Sequence, residues 1–348
     1  MEVPMKRVTI FVFALAMLLT CPLREAFPST PLVAKFGHVG PPPHGQTKGV
    51  DAFAEYVLKK TNGAIDIKTF PFGQLGNENS LADQVQSGTL EMATISTAVL
   101  SNYVPQIAVT DLPFLFPDKK TAYAVFDDPE VMAKIFGYLP AKGFIGIGWT
   151  ENGIRDITNS KRDIRKPEDL KGLKIRVMSS PIYIDTFKAL GASPADLPFP
   201  EIYSALQNGT IDGQENPLMT SILIKAMEVN KFATRTQHII TECIIIVTPD
   251  LWNKLNAEQK QIFKDAAKLC IKVNREVNDQ LNEKLPQSGL SVDEYCKKNG
   301  VSLIDLTSGE REAFKKACEP VYEKYKKIIG QELYDFMQTK VKAHSGNK

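Results

Sequence analysis

Histidine, tryptophan and cysteine are scarce in this chain of 348 residues, which has four, two and five of them respectively. None of the four histidines, His38, His44, His238 and His344, pairs with another at metal-ligand spacing, and no CxxC occurs, so the sequence gives no support for a metal or redox site. There is no GxSxG, no HExxH and no GxGxxG opening a helix, which removes the common signatures of hydrolases, metalloproteases and dinucleotide enzymes. The nearest approach to a phosphate loop is GPPPHGQT, Gly40 to Thr47, but Gln46 stands where a lysine is needed and three prolines lack the N–H groups that would cradle phosphate. An excess of one charge is missing too. Lys plus Arg number 42 against 40 for Asp plus Glu, a net charge of +2, which argues against a nucleic-acid face. No repeats or low-complexity segments occur.

The content that is present is ordinary for a soluble globular protein: 43% hydrophobic, 24% charged and 9% aromatic residues. The length predicts two domains. Val8 to Leu19 is an apolar run with Thr9 its one polar residue, shorter than the roughly 20 residues that span a bilayer, and Lys6 and Arg7 precede it. This pattern predicts a secretory leader over residues 1–26 and a periplasmic location. Cys21 follows Thr20, a poor fit to a lipidation box, which prefers a very small residue there. The other cysteines, Cys243, Cys270, Cys296 and Cys318, are even in number, and an oxidising compartment permits disulfides. Their scattered positions are equally compatible with buried thiols.

Beyond the leader, strand and helix signals alternate. Strands are expected from Phe36, over Ile65–Ile67, Met92–Ser96, Phe144–Trp149 and Leu173–Val177, at Ile211-Asp212 and over Cys243–Val247. Helices are expected over Val50–Leu58, Leu81–Gln86, Ala122–Phe136, Ile182–Leu190, Glu201–Gln207 and Met219–Met227, and in the tail from Glu310 to Val341. Such alternation implies an α/β protein with βαβ units and parallel sheets. A change of pattern comes near residue 152. A helical stretch of about 45 Å, from Asn256 to Leu285, exceeds one small domain and reads as a spine across both.

Three polar residues stand out in the second half. Arg176 lies inside the strand KGLKIRV, alternating with Ile175 and Val177, and a charge on a buried strand costs several kcal/mol unless paired. Arg155 follows a glycine turn in ENGIRDITN, and Asn216 follows the strand Ile211-Asp212 in IDGQENP. Ligands of α/β sheets bind beyond the carboxyl ends of strands, and a guanidinium fork matches a carboxylate. Taken singly, each arginine also reads as half of a structural ion pair, and Asn216 as a turn former.

Six segments in order carry a resemblance: FPFGQLG (Phe70 to Gly76), DLPFLF (Asp111 to Phe116), ENGIRDITN (Glu151 to Asn159), KGLKIRV (Lys171 to Val177), GASPADLPFPEIYSALQNG (Gly191 to Gly209) and IDGQENPL (Ile211 to Leu218). From about Phe36 onward the chain resembles the extracytoplasmic solute receptors of tripartite ATP-independent periplasmic (TRAP) transporters. The resemblance implies an α/β, two-lobed periplasmic binding-protein fold with a hinge and a long helix spanning both lobes. Lobe I is expected over 30–152 and 241–281, lobe II over 153–240 and 282–348, and the hinge near 152–155 and 240–243. It further implies a monomeric receptor, not an enzyme, that needs no cofactor, closes on a small organic anion and delivers it to membrane permease subunits.

By this resemblance Arg176 grips the ligand carboxylate, assisted by Arg155 and Asn216. Specificity residues correspond to His38, Val39, His44, Glu78, Ser96 and Thr97, and Phe199 corresponds to a pocket floor, although core packing would explain Phe199 as well. An inward Glu78 would accept hydrogen bonds from hydroxyls and repel a second acid, favouring a hydroxylated monocarboxylate such as a sugar acid. Lys48 leaves a dicarboxylate or another organic anion, such as a keto acid or sulfonate, as the alternative.

Overall fold

The computed structural model describes residues 31–346, so the expected leader and Cys21 lie outside the described residues. Strand β1 (Leu32–Gly37) pairs in parallel with β2 (Ile65–Phe70) through helix α1 (Gly45–Lys60), which buries Val50, Phe53 and Val57 on one face. Helix α2 (Glu78–Ser87) and strand β3 (Met92–Ser96) follow. The single helix expected over Ala122–Phe136 is two, α3 (Lys119–Phe126) and α4 (Pro129–Phe136). Pro129 disfavours helical backbone at Asp128, whose extended residue instead caps α4 by accepting from the N–H of Glu130 at 2.8 Å.

Strand β4 (Ile145–Asn159) does not stop at Trp149 but runs on through the expected boundary near residue 152. Strand β5 (Lys174–Val177), helix α5 (Pro181–Ala189), strand β6 (Ser193–Asp196) and strand β7 (Gly213–Asn216) complete a second αβ set. The strand expected at Ile211-Asp212 therefore lies two residues later. The helix expected over Met219–Met227 is broken: α6 (Leu218–Leu223) ends, and Lys225 takes a left-handed φ of 64° before a short turn of helix over Ala226–Val229. Then come β8 (Phe232–Val247), the long α7 (Ala257–Glu283), β9 (Ser302–Asp305) and the tail helices α8 (Ser308–Ala317), α9 (Glu319–Ile329) and α10 (Gln331–His344).

The strands form one sheet in the order β2-β1-β3-β8-β4-β7-β5-β6, with β9 beside β8. Pairing is parallel inside each half, as the alternation predicts, but antiparallel wherever β4 or β8 meets β3, β7 or each other. These two strands are about three times the usual length and thread both halves. Their pairing slips at Gly146/Gly148, Glu151/Gly153 and Arg155/Ile157, and Gly153 has φ +126° with space for a Cβ only 2.8 Å from Pro217 Cγ. A β-branched or bulky residue there would meet both backbone strain and a clash.

Helix α7, about 40 Å long, opens on a capping box of Asn256 and Gln259. Phe263, Ala266, Ala267 and Cys270 join the core of the first half around Phe36 and Phe53, whose rings meet edge to face at 5.5 Å. Leu281 joins Leu218, Met219 and Met227 in the second. The helix thus spans both halves, as its length predicts. Cys243, Cys270, Cys296 and Cys318 are all buried free thiols, which decides between the two readings left open.

Candidate functional site

Where the two halves face each other, a small cavity is walled by residues from both. The first half contributes Val39, Gly40, Pro41, His44, Gln46 and Glu78; the second contributes Arg176, Met178, Phe199, Asn216 and Thr220; Asn152 and Cys243 come from the crossing strands.

Arg176 is next to last in β5 and only 2% exposed. Its Nε donates to the carbonyl of Leu197 at 2.8 Å, which fixes the fork. Nη1 is buried with no partner among the described residues, and no acidic side chain forms an ion pair with this guanidinium there. Burial pulls Arg176 down to about 10, helped by the repulsion of Arg155 and opposed by the attraction of Glu215 and Glu78. The guanidinium thus stands at the cavity wall with one nitrogen unpartnered and no ion pair of its own among the described residues, an arrangement that is costly for a buried charge.

Arg155 is in a different state. It is fully buried, and its Nε and Nη2 clasp the Glu215 carboxylate, with Nη2 to Oε1 at 2.9 Å, to the Glu215 carbonyl at 2.6 Å and to Asn216 Oδ1 at 3.0 Å. Burial alone would raise Glu215; the Arg155 charge and a hydrogen bond from His238 outweigh it and hold the carboxyl below its usual range. Arg155 therefore does not line the cavity. It ties β4 to β7 behind the wall and braces Asn216, the last residue of β7, which does line it. The Nη1 of Arg155 is its one nitrogen left without a partner among the described residues.

On the opposite wall, His44 caps α1: its Nδ1 accepts from the N–H of Gln46 at 3.0 Å, so the ring proton sits on Nε2. Burial lowers His44 to about 4, and it is a neutral donor. Glu78 opens α2 and accepts from the Ser96 N–H at 2.7 Å and from Ser96 Oγ at 3.1 Å. Burial raises its carboxyl, opposed by those bonds and by the charges of Arg176 and Arg155.

A scan of protein-family models matches residues 36–328 to bacterial extracellular solute-binding protein, family 7. A solute-binding protein of Verminephrobacter eiseniae is 37% identical over 286 residues, 82% of each chain. The TRAP periplasmic solute-binding protein of Sulfurospirillum deleyianum, solved with succinate, is 32% identical at a TM-score of 0.82, covering 89% of this chain and 99% of that one. The chain belongs to the TRAP solute-binding proteins. A third likeness is the sugar acid-binding protein of Advenella mimigardefordensis in complex with galactonate, 34% identical, TM-score 0.84, covering 90% and 99%. The fold of this TRAP receptor is two-lobed, as in those neighbours, and the family is extracytoplasmic.

Of the residues singled out from the sequence, the structure brings Arg176, Asn216, Glu78, His44, Phe199 and Val39 together around the cavity. His38, Ser96 and Thr97 stay behind it. His38 is fully buried, and burial lowers it to about 3, helped by the nearby His44 and opposed by Gln46. Ser96 supports Glu78, and Thr97 bonds Asp111 Oδ1 at 3.0 Å. Lys48 is exposed on α1 and does not reach the cavity. Sequence reasoning missed Gln46, Asn152, Met178, Thr220 and Cys243. Gln46 was visible as the residue that spoils the phosphate-loop pattern; its Nε2 lies 3.3 Å from Cys243 Sγ. Thr220, whose buried hydroxyl has no partner, sits just past the QENP turn, and nothing in its spacing marks it.

Proposed function

We propose that this receptor captures a small hydroxylated monocarboxylate, a sugar acid, by closing its lobes on it. The observation that carries this reading is the buried, uncompensated Nη1 of Arg176 in the interlobe cavity. The ligand carboxylate takes Arg176, and the Asn216 and Thr220 side chains border the same end. The hydroxyls meet His44 Nε2–H and the Glu78 carboxyl. The cavity wall carries one cation and one carboxylate, and a second ligand carboxylate would face Glu78. This argues for the sugar acid over a dicarboxylate, although the neighbouring proteins include binders of both galactonate and succinate.

The register slips around Asn152 and Gly153 are where the lobes, 30–152 with 241–281 and 153–240 with 282–348, would hinge, together with 240–243. In this reading residues 1–26 export the chain, which acts as a monomer without cofactor or chemistry and hands its cargo to the permease. Isothermal titration with galactonate and with succinate tests it: micromolar binding of galactonate, at least tenfold weaker succinate, and loss of binding in Arg176→Lys, because a point charge cannot replace the fork. Succinate binding as tightly as galactonate, or a fully active Arg176→Lys protein, would overturn it.

A further inference from the structure

In the first half, β4 is the last strand of the sheet. Ile145 to Thr150 pair with β8 on one side, while β7 begins only opposite Asp156, so the other edge of this segment has no strand beside it among the described residues. That edge lies at the bottom of a groove between α4 and α7. The walls are apolar, with Met132 and Phe136 on one side and Ile271 on the other. Two features suit it to a passing backbone. Gly146 and Gly148 carry no side chains, and their absent Cβ positions fall within 3 Å of Leu139 and Ala267, so the covering residues sit close against the strand's faces while its edge bears no side chain. The Trp149 indole N–H, on a ring that lines the groove, is buried without an acceptor.

The rim is mixed in charge, with cations in excess over Asp127 and Glu276. Lys264, Lys268 and Lys272 recur every fourth residue along α7 and are exposed. Arg275 is engaged by Asp127 at 2.7 Å, and Lys272 lies 3.9 Å from Glu276. Lys264 and Lys268 remain as a local positive excess on a protein of nearly balanced charge, although Lys268 also touches Asp265 at 3.4 Å.

We infer that this open edge of β4 is a docking strip for an extended, acidic segment of a partner protein, which joins the sheet as an added strand. Its backbone pairs with Ile145–Gly148, a span of about 13 Å. Its apolar side chains alternate into the walls, and its carboxylates meet the lysine row. This strip is separate from the solute cavity, and its use does not depend on which acid the receptor carries.

The chain's two tryptophans, Trp149 and Trp252, both line the groove, so its intrinsic fluorescence reads occupancy directly. The probe is a capped peptide of four Glu-Val repeats titrated into the purified protein. The expected result is a saturable change in emission, retained in Arg176→Ala and weakened about tenfold in Lys264→Glu/Lys268→Glu. A Lys-Val peptide and a Glu-Pro peptide of equal length should fail, the first on charge and the second because proline cannot donate to a ladder. No saturable change up to about 1 mM peptide overturns the proposal. So does equal binding of either control peptide. Self-association in sedimentation that blocks the peptide also overturns it, because the occupant would then be a second copy of this chain.

Discussion

Replacing Arg176 by methionine should separate binding from stability in opposite directions. The buried guanidinium, brought down from its ordinary value to about 10, carries about 3 kcal/mol against its charged form in the ligand-free protein at neutral pH. Methionine removes that cost and fills similar volume. It also forfeits the hydrogen bond to Leu197, which with a charged donor is worth about 2 kcal/mol. The difference favours Arg176→Met by about 1 kcal/mol, a rise of about 2 °C in the melting temperature of a protein this size. The sign holds across the neutral range, because a lowered base disfavours the folded state at every pH below about 10 and ceases to do so only above it. Binding should respond the other way. Removing one partner of a buried charge pair costs about 2–5 kcal/mol, a loss of roughly thirtyfold to several thousandfold. Differential scanning fluorimetry and isothermal titration on the same preparation decide it. A ligand-free variant that melts below the parent, or one that still binds galactonate within threefold of it (about 0.7 kcal/mol), would refute the view of Arg176 as an uncompensated anion receptor.

Three other expectations are more limited. Glu78→Gln should narrow the preference for galactonate over succinate by about tenfold, since it removes the like charge that a second carboxylate would face; an unchanged ratio in titration would place selectivity elsewhere. Glu215→Gln should cost about 3–5 kcal/mol in urea unfolding, because Arg155 is then left charged and unmatched in the interior; a loss under about 1 kcal/mol would contradict the pairing. His38 and His44, lowered to about 3 and 4, are neutral in the folded protein and become protonated in the unfolded chain below pH 6.5. Each should therefore drain about 1.4 kcal/mol of stability per pH unit as pH falls from 6.5 towards 4. Denaturation midpoints of the His38→Gln/His44→Gln protein should fall less steeply over that window, against the opposite trend of Asp111, which burial raises to about 6; a parallel decline would exclude the histidines as the cause.

Much of the architecture could be read from residue order. Met92–Ser96 is a strand with the bounds its apolar run predicts, and Arg176 drew attention because a charge between Ile175 and Val177 must have a purpose. The failures share a physical origin. β4 contains GIGWTENG, whose glycines read as a turn, yet the glycines accommodate slips in a strand that keeps its partner throughout. β7 is GQEN, a glycine and three polar residues, all buried, so hydropathy is blind to a strand whose side chains are satisfied by Arg155, Thr158, Ser221 and one another. The partner of Arg155 lies 60 residues away in sequence, and only the fold brings Glu215 to it. Helix breaks at Pro129 and Lys225 were of unequal visibility: the proline was written in the chain, whereas the left-handed lysine is imposed by packing.

The passage of β4 and β8 through both halves leaves neither half self-sufficient. A gene fragment cut at either crossing would lose a central partner from each side, so the molecule has no smaller working unit to fall back on. Damage to a remote surface of one half is then transmitted to capture itself, and an intact set of solute contacts is no guarantee of a working receptor.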